Sequence, residues 1–327
     1  MKILVTGAGA LLGQGIIRSF YHSKLDPTIV SVDPSALSAG LYWSDRRSLV
    51  PMADDEDYLD EIRTLLDRER PDAVLIGTDV ELGVFARHRH QLEQQFDTTI
   101  IVSSPEVISI ADDKYRTVQF LKDHGFDHPV SALPGDEQRV IDQVGFPLIV
   151  KPRVGARSVG VHKVHNQDEL QQAIRSVDAP IIQECVGDDD REFTAGTIVF
   201  DGKAKASIVM RRDLRDGNTY RAFVGQFPRL NDEIRHIAEA LAPFGPANFQ
   251  FRLDDQQRLK VFEINARFSG TTPLRARVGM NGVELCLRRL LMGEPVEQPP
   301  VKPRTILRHW SETVVRPEDV ARTSVVG

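Results

Sequence analysis

Residues 248–270, NFQFRLDDQQRLKVFEINARFSG, leave the backbone little freedom. Phe249, Phe251 and Leu253 alternate with Gln250 and Arg252, the polar run Asp254-Asp255-Gln256-Gln257 interrupts, and alternation resumes over residues 259–264. This is the pattern of two strands and a turn with one apolar face. In the second strand Glu263, Asn265 and Arg267 are two apart and share a face. A turn holding an even number of residues puts Gln250 on that face as well, near Glu263. A carboxylate and amide oxygens suit Mg²⁺, and an arginine fork suits phosphate. The plainer reading is a surface hairpin with a solvated polar face.

The first hundred residues read differently. Strands are expected at 2–6, 29–32, 73–76 and 99–102, with helices at 13–22, 58–68 and 80–95. Such alternation implies a parallel, doubly wound sheet. Gly7-x-Gly9-x-x-x-Gly13 follows the first strand, and Asp33 ends the second. That arrangement imitates a dinucleotide fingerprint and makes an NAD(P)-dependent oxidoreductase or epimerase one reading. It resembles the start of extended short-chain dehydrogenases, but no tyrosine here has a lysine four places on. The other reading is that the glycines let the first helix pack close to the sheet. Residues 77–81, Gly-Thr-Asp-Val-Glu, sit where open α/β sheets bind ligands, which makes Glu81 a substrate candidate. Asp79 either joins such a site or caps the following helix.

At 327 residues the chain has room for about two or three domains. Its net charge of −6 is spread without a basic block, which argues against nucleic acid as a partner. No apolar run approaches the roughly 18 residues of a membrane helix. Met1-Lys2 leads directly into a strand, so no signal peptide is expected. Cys185 and Cys286 are isolated, which fits a reduced, cytoplasmic setting.

In the middle of the chain, helices are expected at 107–112, 114–124 and 168–177, with strands at 146–150, 159–164 and 181–184. Lys151-Pro152 precedes the loop RVGARSVG, which joins strand to strand. A Walker loop joins strand to helix and requires Gly-Lys-Ser/Thr, which is absent. The backbone N–H groups of a glycine loop can still fold over phosphates, and a flexible hairpin tip is the alternative. Gln183, Glu184 and Val186 offer polar edges and a backbone amide to a planar ring. The acidic tip at 187–190 reads as a solvated turn, and a hairpin spans 192–212, turning at Asp201-Gly202.

Taken in order, the features are Asp-Lys at a helix start, Lys-Pro before a glycine hairpin, Gln-Glu-x-Val, a Glu some eight residues on, then Gln and Glu-x-Asn-x-Arg. This series resembles the ATP-grasp superfamily of carboxylate–amine ligases. It is similar to the carboxyphosphate-forming half of the carbamoyl-phosphate synthase large subunit in a short, stand-alone form. The resemblance covers nearly the whole chain, and Glu-Ile-Asn-Ala-Arg-Phe-Ser-Gly is its most specific motif. It implies an α/β ATP-grasp fold: a Rossmann-like pre-ATP-grasp domain at 1–106, a first half with a glycine-loop lid at 107–186, a second half with the Mg-ATP site at 187–300 and a C-terminal extension at 301–327. It also implies roles. Lys114 and Lys151 would neutralise ATP phosphates, and the 155–160 loop, with Gly155, Ser158 and Gly160, would close over them. Gln183, Glu184 and Val186 would seat the adenine, and Glu192 would hold the ribose. Gln250, Glu263 and Asn265 would ligate Mg²⁺, with Mn²⁺ a substitute, and Arg267 would stabilise charge on the transferring phosphoryl group. Many relatives carry an acid where Gln250 stands, so here Glu263 alone brings formal charge to the metal.

The expected substrates are a small carboxylate, an amino acid on family grounds, and an amine; a homodimer is expected on the same grounds. Residues 210–223 read either as a solvated loop or as a source of anchors for substrate or triphosphate: Arg211, Arg212 and Arg221. Ser269 and Thr271 would line the same pocket, and Arg275 and Arg277 either orient substrate or lie on the surface. Amphipathic helices are expected at 231–241 and 283–291, and a last strand within 305–315. A nucleotide-binding sensor without catalysis is the remaining alternative.

Overall fold

The first half of the expected alternation closes into one parallel sheet in this computed structural model, which describes residues 1–155, 158–188 and 191–323. Its elements are β1 (Lys2–Val5), α1 (Leu11–Phe20), β2 (Thr28–Asp33), β3 (Arg46–Leu49), α2 (Tyr58–Glu69), β4 (Ala73–Leu75), α3 (Asp79–Phe96) and β5 (Thr99–Ile101). Strand order is β3-β2-β1-β4-β5, with every pairing parallel. Leu4 packs into one apolar cluster and Ile3 and Val5 into another, so the sheet is covered on both faces.

The glycine turn is structural. Gly7 takes φ +54°, and the Gly13 amide donates to Gly77 O at 3.2 Å, drawing α1 onto the ends of β1 and β4. A Cβ on Gly13 would sit 2.2 Å from Gly7 O, and one on Gly40 1.9 Å from Ala8 O. Asp33 is consumed locally: Oδ2 accepts from the Gly9 amide at 2.7 Å, and Oδ1 accepts from Ser38 Oγ and the Ser35 amide. The segment around Ser38–Gly40 thus packs against the glycine turn and engages Asp33. This weighs against the oxidoreductase reading, because the acid that would hold a ribose holds the protein's own loop.

Next come α4 (Pro105–Asp112), α5 (Lys114–Asp123), β6 (Ser131–Ala132), α6 (Glu137–Val144), β7 (Leu148–Pro152), β8 (His162–Val164), α7 (Gln167–Ser176) and β9 (Pro180–Glu184). The strands form an antiparallel sheet, β6-β9-β7-β8, with α6 and α7 supplying Val140, Leu170 and Ala173 to its core. The expected strand at 159–164 shortens to β8. Positions 156 and 157 of the glycine loop, and 189 and 190 of the acidic tip, lie outside the described residues.

The last part holds β10 (Glu192–Phe200), β11 (Lys203–Arg215), β12 (Asn218–Val224), α8 (Pro228–Leu241), β13 (Gly245–Leu253), β14 (Leu259–Asn265), α9 (Thr272–Arg277), α10 (Gly282–Met292), β15 (Arg304–Leu307) and α11 (Pro317–Ala321). Sheet order is β14-β13-β10-β11-β12-β15. Residues 210–223 are therefore no loop: β11 and β12 pair Arg212 with Ala222 and Arg211 with Phe223, so their charges decorate a hairpin. The C-terminal strand adds to the edge at β12. Among the described residues no helix is long and apolar enough to cross a membrane.

Candidate active site

The central hairpin forms as expected, by a different route. Five residues separate β13 from β14, an odd number, which alone would set Gln250 opposite Phe262. The register shifts by one residue between Gln250 and Phe251, so Phe251 faces Val261 while Gln250 faces Glu263. The bulge puts both Phe262 and Glu263 on the polar face, whereas Phe249, Phe251, Val261 and Ile264 stay in the core.

From this hairpin a continuous chain of hydrogen bonds runs across the site. Arg252 donates Nε and Nη2 to Glu192 Oε2 at 2.9 and 2.7 Å, and Arg212 donates the same pair to Oε1 at 3.1 and 2.7 Å. Arg212 Nη2 also donates to Gln250 Oε1. Gln250 Nε2 and Asn265 Nδ2 converge on Glu263 Oε1 at 2.7 and 2.9 Å. Arg267 Nη2 donates to Asn265 Oδ1 at 2.8 Å, and Arg267 forks onto Asp79 at 2.6 and 3.2 Å.

Two hollows meet along this chain. The smaller, about 190 Å³, lies between the two antiparallel sheets and is lined by Lys151, Gln183, Glu184, Val186, Glu192 and Phe262, among others. The larger, about 790 Å³, opens between the hairpin and the parallel sheet; Thr78, Asp79, Arg267, Ser269, Thr271 and Arg308 lie on its wall. Lys114, Gly155, Arg212, Gly217, Gln250 and Glu263 line both.

The two lysines differ in surroundings. Asp113 caps α5 and pairs with Arg153, which fixes Lys114 so that Nζ donates to Gly155 O at 2.8 Å. Lys151 is the penultimate residue of β7, buried, with Nζ 5.1 Å from the Phe262 ring centroid. Burial, then the Lys114 charge, push it down to about 7, against weaker pulls upward from Glu263 and Glu192. An anion arriving here would restore its charge.

Several expected residues sit in different surroundings. Glu192 reaches the small hollow, but both its oxygens are taken by guanidinium forks, so it anchors arginines rather than presenting an open acceptor to ribose. Glu184 lines the hollow with its carboxylate engaged by Lys260 Nζ at 2.6 Å and the Val130 amide at 2.9 Å. Gln183 is buried and donates to Ser131 Oγ at 2.9 Å. Gly155 and Ser158 line the hollow; Gly160 packs on Pro152 instead.

Glu81 is withdrawn as a substrate group. The Thr6 and Thr78 hydroxyls donate to Oε2 at 2.7 and 2.6 Å and the Tyr58 hydroxyl to Oε1 at 2.6 Å, all inside the fold, and burial pushes its carboxyl up. Arg211 and Arg221 are withdrawn too. Adjacent residues of a strand face opposite ways, so Arg212 points to the site while Arg211 covers the Phe223 ring at 3.9 Å. Arg221 is exposed and pairs with Asp213.

Ser269 and Thr271 line the large cleft and are tied to Arg275, whose Nη2 donates to both hydroxyls and to Asn248 Oδ1. Arg275 is buried, since Gly196 leaves room for its guanidinium, and burial followed by the Arg267 and Arg212 charges push it down to about 9. Sequence reasoning left open whether Arg275 was buried, and it passed over Asp79 as a partner and Arg308 altogether. Arg308 donates to Thr219 O at 3.0 Å and to Gly270 O, which brings the C-terminal segment to the cleft wall. No local pattern marks such a residue, because it acts across strands far apart in sequence.

Mg²⁺ fits the donor set in kind: Glu263 Oε2 has no hydrogen bond among the described residues, and two amides flank it. Each amide turns its nitrogen to Glu263 and its oxygen to an arginine, so its oxygen reaches a cation beside Glu263 only after rotating. With one carboxylate, phosphate oxygens would supply most of the coordination.

Three family models match the chain: "PylC-like, N-terminal domain" over residues 3–101, "D-ala D-ala ligase C-terminus" over 126–221, and "ATP-grasp in the biosynthetic pathway with Ter operon" over 189–313. The carbamoyl phosphate synthase large chain of Ralstonia nicotianae is 23% identical over 95% of this chain and 31% of its own length; that of Neisseria meningitidis is 27% identical over 83% and 27%. The chain thus spans less than a third of the length of these curated relatives. Among solved structures, N5-carboxyaminoimidazole synthetase from Staphylococcus aureus complexed with ADP aligns with a TM-score of 0.74 at 16% identity, covering 94% of this chain and 81% of that one. L-amino acid ligase from Bacillus licheniformis aligns with 0.67 at 19% identity, covering 91% and 75%. The series of motifs, the paired antiparallel sheets behind a parallel one, and family matches along most of the sequence agree: the chain belongs to the ATP-grasp superfamily.

Proposed function

We propose that this protein is an ATP-dependent carboxylate–amine ligase that activates a small carboxylate, an amino acid by preference, as an acyl phosphate and couples it to an amine, releasing ADP and phosphate. Its main support is the shared wall: the hollow lined by Lys151 and Val186 opens into the larger cleft at Lys114, Arg212, Gln250 and Glu263. A nucleotide with its base in the first would present its γ-phosphate to a carboxylate in the second.

Lys114 and Lys151 neutralise the phosphates, and the 155–160 loop covers them. Gln183 and the Val186 backbone meet the adenine, beside Glu184; Glu192 holds Arg212 and Arg252 in place. Mg²⁺, or Mn²⁺ in its stead, would bind at Glu263, Gln250 and Asn265 and offset phosphate charge. The substrate carboxylate attacks the γ-phosphorus, and Arg267 meets the charge that develops on the phosphoryl oxygens. The amine then displaces phosphate from the acyl phosphate, in a cleft that must exclude water. The division at residues 106, 186 and 300, a cytoplasmic setting and a homodimer belong to the same reading.

The test is ADP release across amino acids and amines, with hydroxylamine added. Hydroxamate formed without an amine supports the reading. ATP bound with no substrate-stimulated ADP release would make this a nucleotide sensor instead.

A further inference from the structure

We infer, resting on that reading of the site, that Asp79 is a positioning residue for phosphoryl transfer: it holds Arg267 with one guanidinium nitrogen, Nη1, left for the phosphoryl group, and through Arg267 it sets the Asn265 amide beside Glu263.

Asp79 is the first residue of α3, and Thr78 occupies the N-cap position. Its carboxylate is therefore not spent on the helix. Oδ1 accepts from Arg267 Nε at 2.6 Å and Oδ2 from Nη2 at 3.2 Å, across a separation of 188 residues. The second Nη2 proton goes to Asn265 Oδ1 at 2.8 Å. Of the five guanidinium protons, only the two on Nη1 have no partner among the described residues. An arginine tethered at two nitrogens cannot sample the rotamers of a free one, so Nη1 keeps one direction at the cleft wall.

The same tether acts on the metal-facing amides. Because Arg267 claims Asn265 Oδ1, Asn265 presents Nδ2 to Glu263 at 2.9 Å. Releasing Asp79 would free Arg267, and with it the Asn265 oxygen. A merely structural account has to be separated by experiment: the Asp79 side chain is 36% exposed but Arg267 only 10%, so kcat must be read beside the melting temperature. Asp79 also acts electrostatically inside the cleft, since its charge helps, after burial, to hold the neighbouring Asp112 carboxyl above the usual range.

The experiment uses the full chain as wild type, Asp79→Asn and Asp79→Glu. The Arg267 Nε–H resonance, identified by its loss in Arg267→Lys, is followed by NMR, and ADP release is measured with hydroxylamine. We expect the resonance to be lost or shifted in Asp79→Asn. We expect its kcat to fall about tenfold or more, as loss of fixed orientation predicts. KM for ATP should move less than about twofold, since uniform binding is untouched. Asp79→Glu should regain part of kcat. An unchanged resonance or unchanged kcat in Asp79→Asn overturns the inference, as does kcat falling together with melting temperature and no recovery in Asp79→Glu. If the wild type neither binds Mg-ATP nor releases ADP, the ligase reading fails and the phosphoryl-transfer role with it, while the Arg267 resonance still decides whether Asp79 tethers Arg267.

Discussion

Gln250 donates its amide to Glu263 at 2.7 Å, and the two face each other only because β14 carries one residue more than β13 across their pairing. That bulge makes Glu263 the single carboxylate at the junction of the two hollows among the described residues. Replacing it with glutamine should leave the fold intact and lower kcat by about 100-fold or more, the scale of losing a charge that acts in the transition state. Gln250→Glu should do the converse for the metal, lowering the Mg²⁺ concentration for half-maximal activity several-fold, because affinity follows ligand charge. Mg²⁺ titrations of ADP release would show both; near-normal turnover in Glu263→Gln would remove it from the metal site.

Lys151 ties ATP binding to pH. In the free protein burial and Lys114 push it down to about 7, while bound triphosphate would favour its charged form. At pH 8 binding should take up about one proton, and near pH 6 almost none, by linkage. Calorimetry in buffers of different ionisation enthalpy measures this. The same shift affects folding. Between about 7 and the ordinary 10.5 the unfolded chain binds a proton that the folded chain lacks, so this group makes stability rise with pH through that window. Lys151→Met should abolish both effects.

Glu192 separates two roles. As an anchor for two guanidinium forks, its loss leaves the buried Arg212 unpaired, and Glu192→Ala should cost about 3–5 kcal/mol in urea unfolding, the usual range for breaking a buried pair. A ribose ligand would instead alter ATP affinity with stability unchanged.

The glycine turn offers a test of the parallel sheet. A Cβ at Gly40 would meet Ala8 O at 1.9 Å, so Gly40→Ala should cost about 1–3 kcal/mol, as overpacking does. Thermal shift with NAD(P)H should show no stabilisation of the wild type. A clear stabilisation would restore the dinucleotide reading.

Much of the architecture was legible in local pattern. Strand–helix alternation over the first hundred residues specifies a parallel sheet, because each crossover needs a helix and each buried strand an apolar run. The shared face of Glu263 and Asn265 follows from the two-residue period of a strand, while Arg267 lies in the bend just past the end of β14. Segments such as β3 and β12, rich in arginine and polar residues, were not legible, since their place in a sheet comes from partners rather than their own composition.

The sequence by itself determined the class of fold, the order of lysine, glycine loop and metal strand, and the kind of chemistry those side chains suit. Each depends on neighbours a few residues apart. Only the tertiary structure decided which charges meet. It turned Arg212 inward and Arg211 outward, spent Glu81 and Asp33 inside the fold, buried Arg275, brought Arg308 to the cleft and joined Asp79 to Arg267. Those outcomes depend on one bulge, on strand register and on contacts between distant elements, where a shift of a single residue exchanges one face of a strand for the other.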